Sequence, residues 1–373
     1  MKETTTLIIG ASISGLACAA SLQKKGIEYL IIEKSADIAT PWRNHYERLH
    51  LHTTKHFSNL PYKKFAKQIP NYPSRQQVID YLDDYKKSFD INPIFNTEAK
   101  SVYRQDGYWI TETSNETFKS KFLIMATGPY GKPRPVSIEG METFTGKILH
   151  SSEYKTGKDF SGQQVLVIGF GNSACEIAID LVEQHANTSM SVRSPVNVIP
   201  KEVFGISVLQ LSIYMSKLPP HIADAMNAPL IRLLVGDINK LGLKKKSYGP
   251  FVEISQYQSI PLIDIGTIAH IKKGNIKILG EINFINGKAV HFKNGMTKEF
   301  DAIVAGIGYN KNVSMFKYLD NDRFDDLNVS VNKQKYFGKD GLYFCGFWIS
   351  PTGAIREIAM DAKKIAQDII AKH

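Results

Sequence analysis

Two stretches of this chain share one plan, and that repetition limits the available folds more than any other feature. Residues 5–33 read as a strand (Thr6-Leu7-Ile8-Ile9), a tight Gly-containing turn, a helix over 14–25, and a second strand over 29–32 ending in Glu33. Residues 164–193 repeat the arrangement: a strand over 165–168, the turn Gly169-Phe170-Gly171-Asn172-Ser173-Ala174, a helix to about 183, and a strand over 189–192. The first glycines of the two turns, Gly10 and Gly169, lie 159 residues apart. Two copies of one βαβ plan imply two domains of one type.

Each copy is followed by short alternating strands and then a buried strand running into glycine. The first of these is Phe122-Leu123-Ile124-Met125-Ala126-Thr127-Gly128; the second is Ala302-Ile303-Val304-Ala305-Gly306-Ile307-Gly308-Tyr309. Beyond the second copy remain one strand, 341–346, and a periodic helix over 353–371. A lone strand and helix form no domain, so they must complete an earlier one. Returning to the first makes the second domain an insertion. The expected fold is therefore α/β, two Rossmann-like dinucleotide-binding domains, each three-layered around a parallel sheet. The divisions fall at 1–155, 156–310 and 311–373.

Length and composition agree with this. At 373 residues, 43% hydrophobic and 22% charged, the chain can bury two cores and has no low-complexity tract. Its start lacks the long apolar run of a signal peptide, and Cys18, Cys175 and Cys345 form no Cys-x-x-Cys pair. A cytoplasmic setting is expected, with no disulfide framework, redox disulfide or metal knuckle. The net charge of +10 is spread along the chain, only Lys244-Lys245-Lys246 forming a run, and no nucleic-acid motif accompanies it. The apolar stretch 203–215 is too short to span a bilayer. With 222–235 it reads as two helices sharing an apolar face, which either pack in the core, line a substrate tunnel or touch a membrane surface as a peripheral contact. No feature specifies an oligomer.

The Gly-rich turns carry the chemistry. Gly10-Ala11-Ser12-Ile13-Ser14-Gly15 sits between strand and helix, with Glu33 23 positions after Gly10. Gly10 permits the tight turn, Gly15 lets helix and strand approach, the helix N-terminus offers unpaired amides to a pyrophosphate, and Glu33 can accept from ribose hydroxyls. Ser12 stands where the motif normally has glycine, so weakened or shifted binding is expected there. In the second turn Gly169, Gly171 and Ala174 fit Gly-x-Gly-x-x-Ala, and the following strand leads into Arg193-Ser194. A carboxylate there would repel a 2′-phosphate, whereas a guanidinium pairs with it, which selects NADPH over NADH.

Between the turns, residues Phe144-Thr145-Gly146-Lys147-Ile148-Leu149-His150-Ser151-Ser152-Glu153-Tyr154 match Phe-x-Gly-x-x-x-His-x-x-x-Tyr. On this motif the chain resembles the flavin-containing monooxygenases, class B flavoprotein monooxygenases. It is most similar to the YUCCA-type branch, whose plant members oxidatively decarboxylate indole-3-pyruvate. The likeness extends to Leu49-His50-Leu51-His52, Val192-Arg193-Ser194-Pro195-Val196-Asn197-Val198-Ile199-Pro200-Lys201, Gly236-Asp237, Pro261-Leu262-Ile263-Asp264-Ile265-Gly266-Thr267 and Met360-Asp361-Ala362-Lys363. It departs at Gly306-Ile307-Gly308-Tyr309, where the family usually has Ala-Thr-Gly-Tyr, which removes a hydroxyl from the expected NADP site.

The resemblance implies FAD on the first turn and NADPH on the second, hydride transfer from one to the other, and a flavin C4a-(hydro)peroxide that oxygenates a small organic substrate with O2. That substrate is a 2-oxo acid that loses carbon dioxide, or a soft nitrogen or sulfur nucleophile. His52 takes the position of an asparagine that faces the reactive edge of the flavin in many relatives, and is the expected catalytic residue; the alternative is an inert loop histidine. The FAD set is Gly10, Ser12, Ser14, Gly15, Glu33, Trp42, Arg43, Thr127, Gly128, Gly346 and Phe347. The NADPH set is Gly169, Gly171, Asn172, Ser173, Ala174, Arg193, Ser194, Gly308 and Tyr309. His150 and Tyr154 are assigned to the domain junction. Two other readings stay open: an NADPH-dependent flavin oxidase or reductase, and a nucleotide-sensing protein without turnover.

Overall fold

The computed structural model describes residues 1–128, 130–311 and 337–373. They pack as two compact units: Met1–Asn44 with Thr53–Lys132 and Asn310–His373, and His45–His52 with Pro133–Tyr309. Two stretches that the sequence division gives to the first domain, 45–52 and 133–155, pack in the second unit. Of the expected C-terminal part, 312–336 lie outside the described residues.

The first unit opens with β1 (Lys2–Ile9), α1 (Ile13–Gln23) and β2 (Tyr29–Ile32), the two strands parallel and in register from Thr6–Tyr29 to Ile9–Ile32. Helix α1 carries small residues on every face, and all of its residues from Ile13 to Leu22 are buried. A helix apolar all round belongs inside. After α2 (Thr40–Arg43), α3 (Arg75–Ser88) starts in a capping box of Ser74 and Gln77. Strands β3 (Ala99–Gln105) and β4 (Tyr108–Thr113) then form a hairpin. Its turn residues, Asp106 and Gly107, both take positive φ, as a two-residue hairpin turn requires.

Strand β5 (Thr117–Met125) is the spine of this sheet. One edge pairs with β1, while Thr117–Ser120 on the other pair antiparallel with β4 and leave 123–125 for a later strand. The short strand β6 (Tyr130–Pro133) follows.

The second unit contains a sheet that is parallel throughout. It begins with β7 (Lys147–His150), β8 (Gln164–Ile168), α4 (Asn172–Glu183) and β9 (Asn187–Ser191). Next comes an excursion through β10 (Val198–Pro200), the small hairpin β11 (Glu202–Val203) and β12 (Ile206–Ser207), and helices α5 (Val208–Met215), α6 (Pro220–Val235) and α7 (Pro250–Tyr257). Strand β13 (Leu262–Asp264), paired with β10, and helix α8 (Thr267–Lys272) lead back to the sheet at β14 (Ile276–Leu279). An antiparallel meander of β15 (Ile282–Asn286), β16 (Ala289–Phe292) and β17 (Thr297–Glu299) precedes β18 (Ala302–Ala305) and β19 (Tyr309–Lys311). The order in the sheet is β14-β9-β8-β18-β7. Strand β18, Ala-Ile-Val-Ala, is buried along its whole length, as a central parallel strand should be.

The apolar pair α5 and α6 lies mostly outside the core, which takes in Val235 with Ile231 packed against it. Only Leu209 of α5 and Ala223 and Val235 of α6 are buried, while Tyr214, Met226 and Leu233 are 64%, 61% and 74% exposed. Core packing, one of the three expectations for these helices, therefore holds for only a few of their residues.

Finally β20 (Leu342–Phe344) takes the free edge of β5, in register from Leu342–Leu123 to Phe344–Met125, and α9 (Ala354–Lys372) packs on α1. The C-terminal strand and helix thus complete the first unit, and the second is an insertion in it. Among the described residues no helix is long and apolar enough to cross a membrane.

At the heart of the first unit a Cβ on Gly15 would lie 1.9 Å from the carbonyl oxygen of Gly10. Backbone would have to move to admit it. Gly15→Ala is expected to destabilise the protein by about 1–3 kcal/mol, the usual cost of overpacking, read as a lowered urea midpoint; an unchanged midpoint would mean that the helix–strand approach is looser than this.

Candidate nucleotide sites and a buried polar cluster

The first turn is drawn tight by backbone. Gly10, at φ +104°, donates its N–H to the Ile32 carbonyl at 2.8 Å, and a Cβ there would meet the carbonyl oxygen of Ala126 at 3.0 Å. The end of β5, with exposed Thr127 and half-buried Gly128 after it, is thereby set beside the turn. Gly346 approaches from the C-terminal side: its Cβ would fall 2.2 Å from the Ser14 hydroxyl oxygen, and Phe347 is buried. Ser12 caps α1 through its backbone, its carbonyl accepting from Leu16 N–H at 3.0 Å; its hydroxyl makes no cap bond.

Glu33 closes β2. Its two carboxylate oxygens accept from Ala11 N–H at 2.8 Å and Ser35 N–H at 2.9 Å. Ala39 N–H bonds the Ala11 carbonyl, which docks α2 on the turn. There Trp42 is half-buried, and Arg43 reaches Asp37 at 3.0 Å and Asp83, while its own carbonyl accepts from Arg75 at 2.7 Å. Of the residues expected at FAD, Gly10, Ser12, Ser14, Gly15, Glu33, Thr127 and Gly346 are thus brought together at this turn, and Trp42 and Arg43 lie on the short helix docked to it.

The second turn uses the same approach with different atoms. A Cβ on Gly169 would sit 2.6 Å from the Gly306 carbonyl oxygen, and one on Gly306 2.5 Å from the Ala174 methyl. Gly171 is the contrast. At φ −83° it is open to any residue, and nothing lies within 4 Å of where its Cβ would be. Neither α1 nor α4 has an acidic residue in its first turn. Both helix starts thus offer amides to an anion, and the void over Gly171 is the cradle a phosphate group would need.

Arg193 and Ser194 are exposed just past β9, and among the described residues Arg193 makes no ion pair. The Asn172 amide faces inward, accepting from Ile263 N–H at 2.9 Å and donating to the Pro261 carbonyl at 3.3 Å.

The motif between the turns is now explained residue by residue, and all of it belongs to the second unit. Phe144 joins a core with Leu166 and Ile303. Gly146 lets β7 run close to Asp301, whose carbonyl oxygen would be 2.3 Å from an added Cβ. His150 binds the Gly308 carbonyl at 3.0 Å and stands edge-on to Tyr309 at 5.2 Å between ring centroids. Tyr309 has its phenol raised by burial. Tyr154 donates to Asp180 on α4 at 2.6 Å. The motif therefore secures the loop after β18 and the body of α4.

His52, the expected catalytic residue, belongs to the second unit as well. Its Nε2 lies 3.3 Å from Oε2 of Glu176, a residue of α4 whose side chain is 1% exposed. The same oxygen accepts from the Tyr46 hydroxyl at 2.8 Å, Arg48 stands 3.8 Å from Oε1, and Arg48 forks onto Glu183 with two bonds of 2.8 Å. Burial first, then Glu176, pushes the Tyr46 phenol far above its ordinary value, so it stays a donor. Tyr46, Arg48, Glu176 and Asp180 were missed from sequence. A signal was available: Glu176 and Asp180 are four apart in a helix otherwise too apolar to have a wet face, so both need buried partners.

A cavity of about 780 Å³ also opens in the second unit, between α6 and the loop to α7, lined by Ala228, Arg232, Val235, Asn239, Lys245 and Tyr248 among others.

Two dinucleotide-type turns, each following a strand with parallel neighbours, one closed by a carboxylate and one followed by an exposed arginine, define a two-nucleotide oxidoreductase. In agreement, the pyridine nucleotide-disulphide oxidoreductase family matches residues 7–205. Indole-3-pyruvate monooxygenase YUCCA6 of Arabidopsis thaliana is 38% identical, covering 98% of this chain and 90% of the relative. Indole-3-pyruvate monooxygenase YUCCA4 of Oryza sativa subsp. japonica is 34% identical over 98% and 87%. Among solved structures, a flavin-containing monooxygenase from Stenotrophomonas maltophilia has a TM-score of 0.74 at 18% identity, over 100% of this chain and 99% of that one. Bacillithiol disulfide reductase from Staphylococcus aureus has 0.69 at 19%, over 100% and 99%; both likenesses speak to the fold. The chain belongs to the YUCCA-type flavin monooxygenase family.

The void at Gly171 gives a test separate from stability. Gly171→Ala is expected to fold with an unchanged melting temperature but to bind NADP⁺ about tenfold or more weakly, because its methyl occupies the phosphate approach. Isothermal titration measures this, and undiminished affinity would remove the pyrophosphate from that turn.

Proposed function

We propose that this protein is an NADPH- and O2-dependent FAD monooxygenase that oxygenates a small organic substrate, first among them a 2-oxo acid that loses carbon dioxide. The relatives' names give indole-3-pyruvate for those proteins. The observation that carries the reading is the pair of unequal nucleotide turns in one chain. The first unit holds FAD: the amides of α1 and the Ser12 hydroxyl meet the pyrophosphate, Glu33 the ribose, and the backbone at 127–128 and 346–347 the rest of the group. The second unit holds NADPH: the α4 amides take its pyrophosphate, Arg193 and Ser194 its 2′-phosphate, and Gly308 and Tyr309 its nicotinamide half. The FAD domain expected over 1–155 and 311–373 is thus narrowed to the first unit, without 45–52 and 133–155, and the NADPH domain expected over 156–310 is widened to take them in.

When bound, FAD supplies hydride acceptance from NADPH and activation of oxygen. The chain's own residues bind, orient and exclude water. His52 acts at the reacting end, and Glu176 keeps its Nε2 engaged. The three cysteines are buried and in no disulfide, so no thiol reaches a disulfide substrate, which separates this chain from the disulfide reductases that share its fold. Reduced cysteines also fit the cytoplasm. The exposed apolar side chains of α5 and α6 suit the approach of an apolar substrate, or a peripheral membrane contact.

The test is direct. The purified protein should be yellow, bleach with NADPH in the absence of oxygen, and on admission of air convert a 2-oxo acid with NADPH consumed in step with product. Stoichiometric hydrogen peroxide without product would make it an oxidase, and failure to bleach would leave a nucleotide sensor. Arg193→Ala should raise KM for NADPH about tenfold or more, as expected for losing a bond to a charged group worth about 1.5–3 kcal/mol. KM for NADH should hardly change. Equal effects on both cofactors would overturn the 2′-phosphate assignment.

A further inference from the structure

The excursion between β9 and β14 exposes apolar side chains that the fold does not explain. Strands β11 and β12 pair Val203 with Ile206, which leaves Phe204 and Gly205 as a two-residue hairpin turn. Both take positive φ, +49° and +79°. Glycine or asparagine suits such a turn, whereas a bulky ring is strained there, and Phe204 is 79% exposed. Neither backbone preference nor core packing accounts for a phenylalanine at this tip.

Helix α6 continues the pattern. Ile222, Met226, Pro229 and Leu233 recur at the spacing of one helix face, and all are exposed. A stripe of that kind normally meets a core; this one faces outward. Arg232, one residue before Leu233 and so about 100° round the helix from it, lines the cavity beside α6 together with Lys245. Among the described residues neither cation makes an ion pair, whereas Lys246 is held by buried Glu253 at 2.5 Å. The surrounding charge is positive: residues 199–250 carry seven Lys and Arg against Glu202, Asp224 and Asp237. Two of those acids are engaged by backbone, Asp224 accepting from Phe251 and Val252 N–H at 2.8 and 3.0 Å and Asp237 from Asn239 N–H at 3.0 Å.

We propose that this face of the second unit docks on a membrane carrying anionic lipid. Phe204, Met226 and Leu233 enter the acyl boundary while Arg232 and Lys245 meet headgroup phosphates. A second copy of the chain would bring the same basic face against itself, and a substrate molecule fills a pocket, not a stripe about three helical turns long. The proposal takes up the peripheral contact named above and is independent of the oxygenation chemistry.

Flotation of the full-length, FAD-loaded protein tests it. The protein should float with vesicles of equal parts phosphatidylcholine and phosphatidylglycerol, stay behind with phosphatidylcholine alone, and detach as salt is raised. Phe204→Gly relieves the turn while removing the ring. Its melting temperature should hold or rise, and its vesicle binding should fall about tenfold or more. Leu233→Ser should weaken binding in the same direction, and Arg232→Gln combined with Lys245→Gln should abolish the preference for phosphatidylglycerol. Each variant should bleach with NADPH as the parent does; a parent that fails to bleach counts against the cofactor reading and leaves vesicle binding to be judged by itself. If the parent ignores the mixed vesicles, or Phe204→Gly binds them as tightly as the parent, the proposal is overturned. A stable dimer dispersed by Leu233→Ser, without vesicle binding, overturns it too and gives the face to a second copy.

Discussion

Everything functional in this chain depends on how closely backbone can approach backbone where a strand turns into a helix. In the first unit the Gly10 carbonyl occupies the place a side chain on Gly15 would take; in the second, the main chain at Gly306 presses on Ala174. Those contacts bring the helix start against the ends of the parallel strands. A helix brought there has amides with no partner inside the helix, all pointing past the sheet's edge. The anion site is thus a by-product of packing, and any residue that loosens the packing degrades the site with it.

The second constraint is buried charge. The middle of helix α4, from Ala174 to Leu181, is buried on every face, so Glu176 and Asp180 would be ruinous without partners. Asp180 draws in Tyr154 and the Gly157 amide; Glu176 draws in Tyr46, Arg48 and His52. The rings of Tyr46 and Tyr154 meet edge-on at 6.3 Å, joining the two sets. This requirement explains why residues 45–52 and 133–155 pack in the second unit although they precede its βαβ repeat in sequence. Strand β7, pairing with β18 from Lys147–Ala302 to His150–Ala305, adds to the same pull.

Elements with a strong period were legible in the sequence. Both βαβ units, the buried strands at 122–125 and 302–305, and the return of the C-terminal strand and helix follow from apolar runs bounded by glycine. What was illegible depends on partners distant in sequence. Nothing local to His52 says that it faces a glutamate 124 residues away, and nothing local to α5 and α6 says that their apolar side chains remain outside. Apolar periodicity reports that a face could be buried, not that the fold supplies something to bury it. Arg193 was legible because its role requires no partner within the chain at all.

The two turns differ in a way that separates a resident group from a visiting one. At the first, the carboxylate that closes the strand is already held by two backbone amides, and the C-terminal segment closes on Ser14 through Gly346. That site is pre-organised, so little further ordering is needed when a ligand binds. Ser12 in place of glycine adds a Cβ on the phosphate side, a tolerable cost where the group binds once and stays. At the second, Gly171 leaves the approach open and Arg193 is solvent-exposed, so a ligand proposed to bind there would meet groups that water also reaches. An oxidoreductase that keeps FAD and exchanges NADPH at each turnover needs this asymmetry. The side chains that make it, one serine and one arginine, sit on turns whose backbones are otherwise built alike.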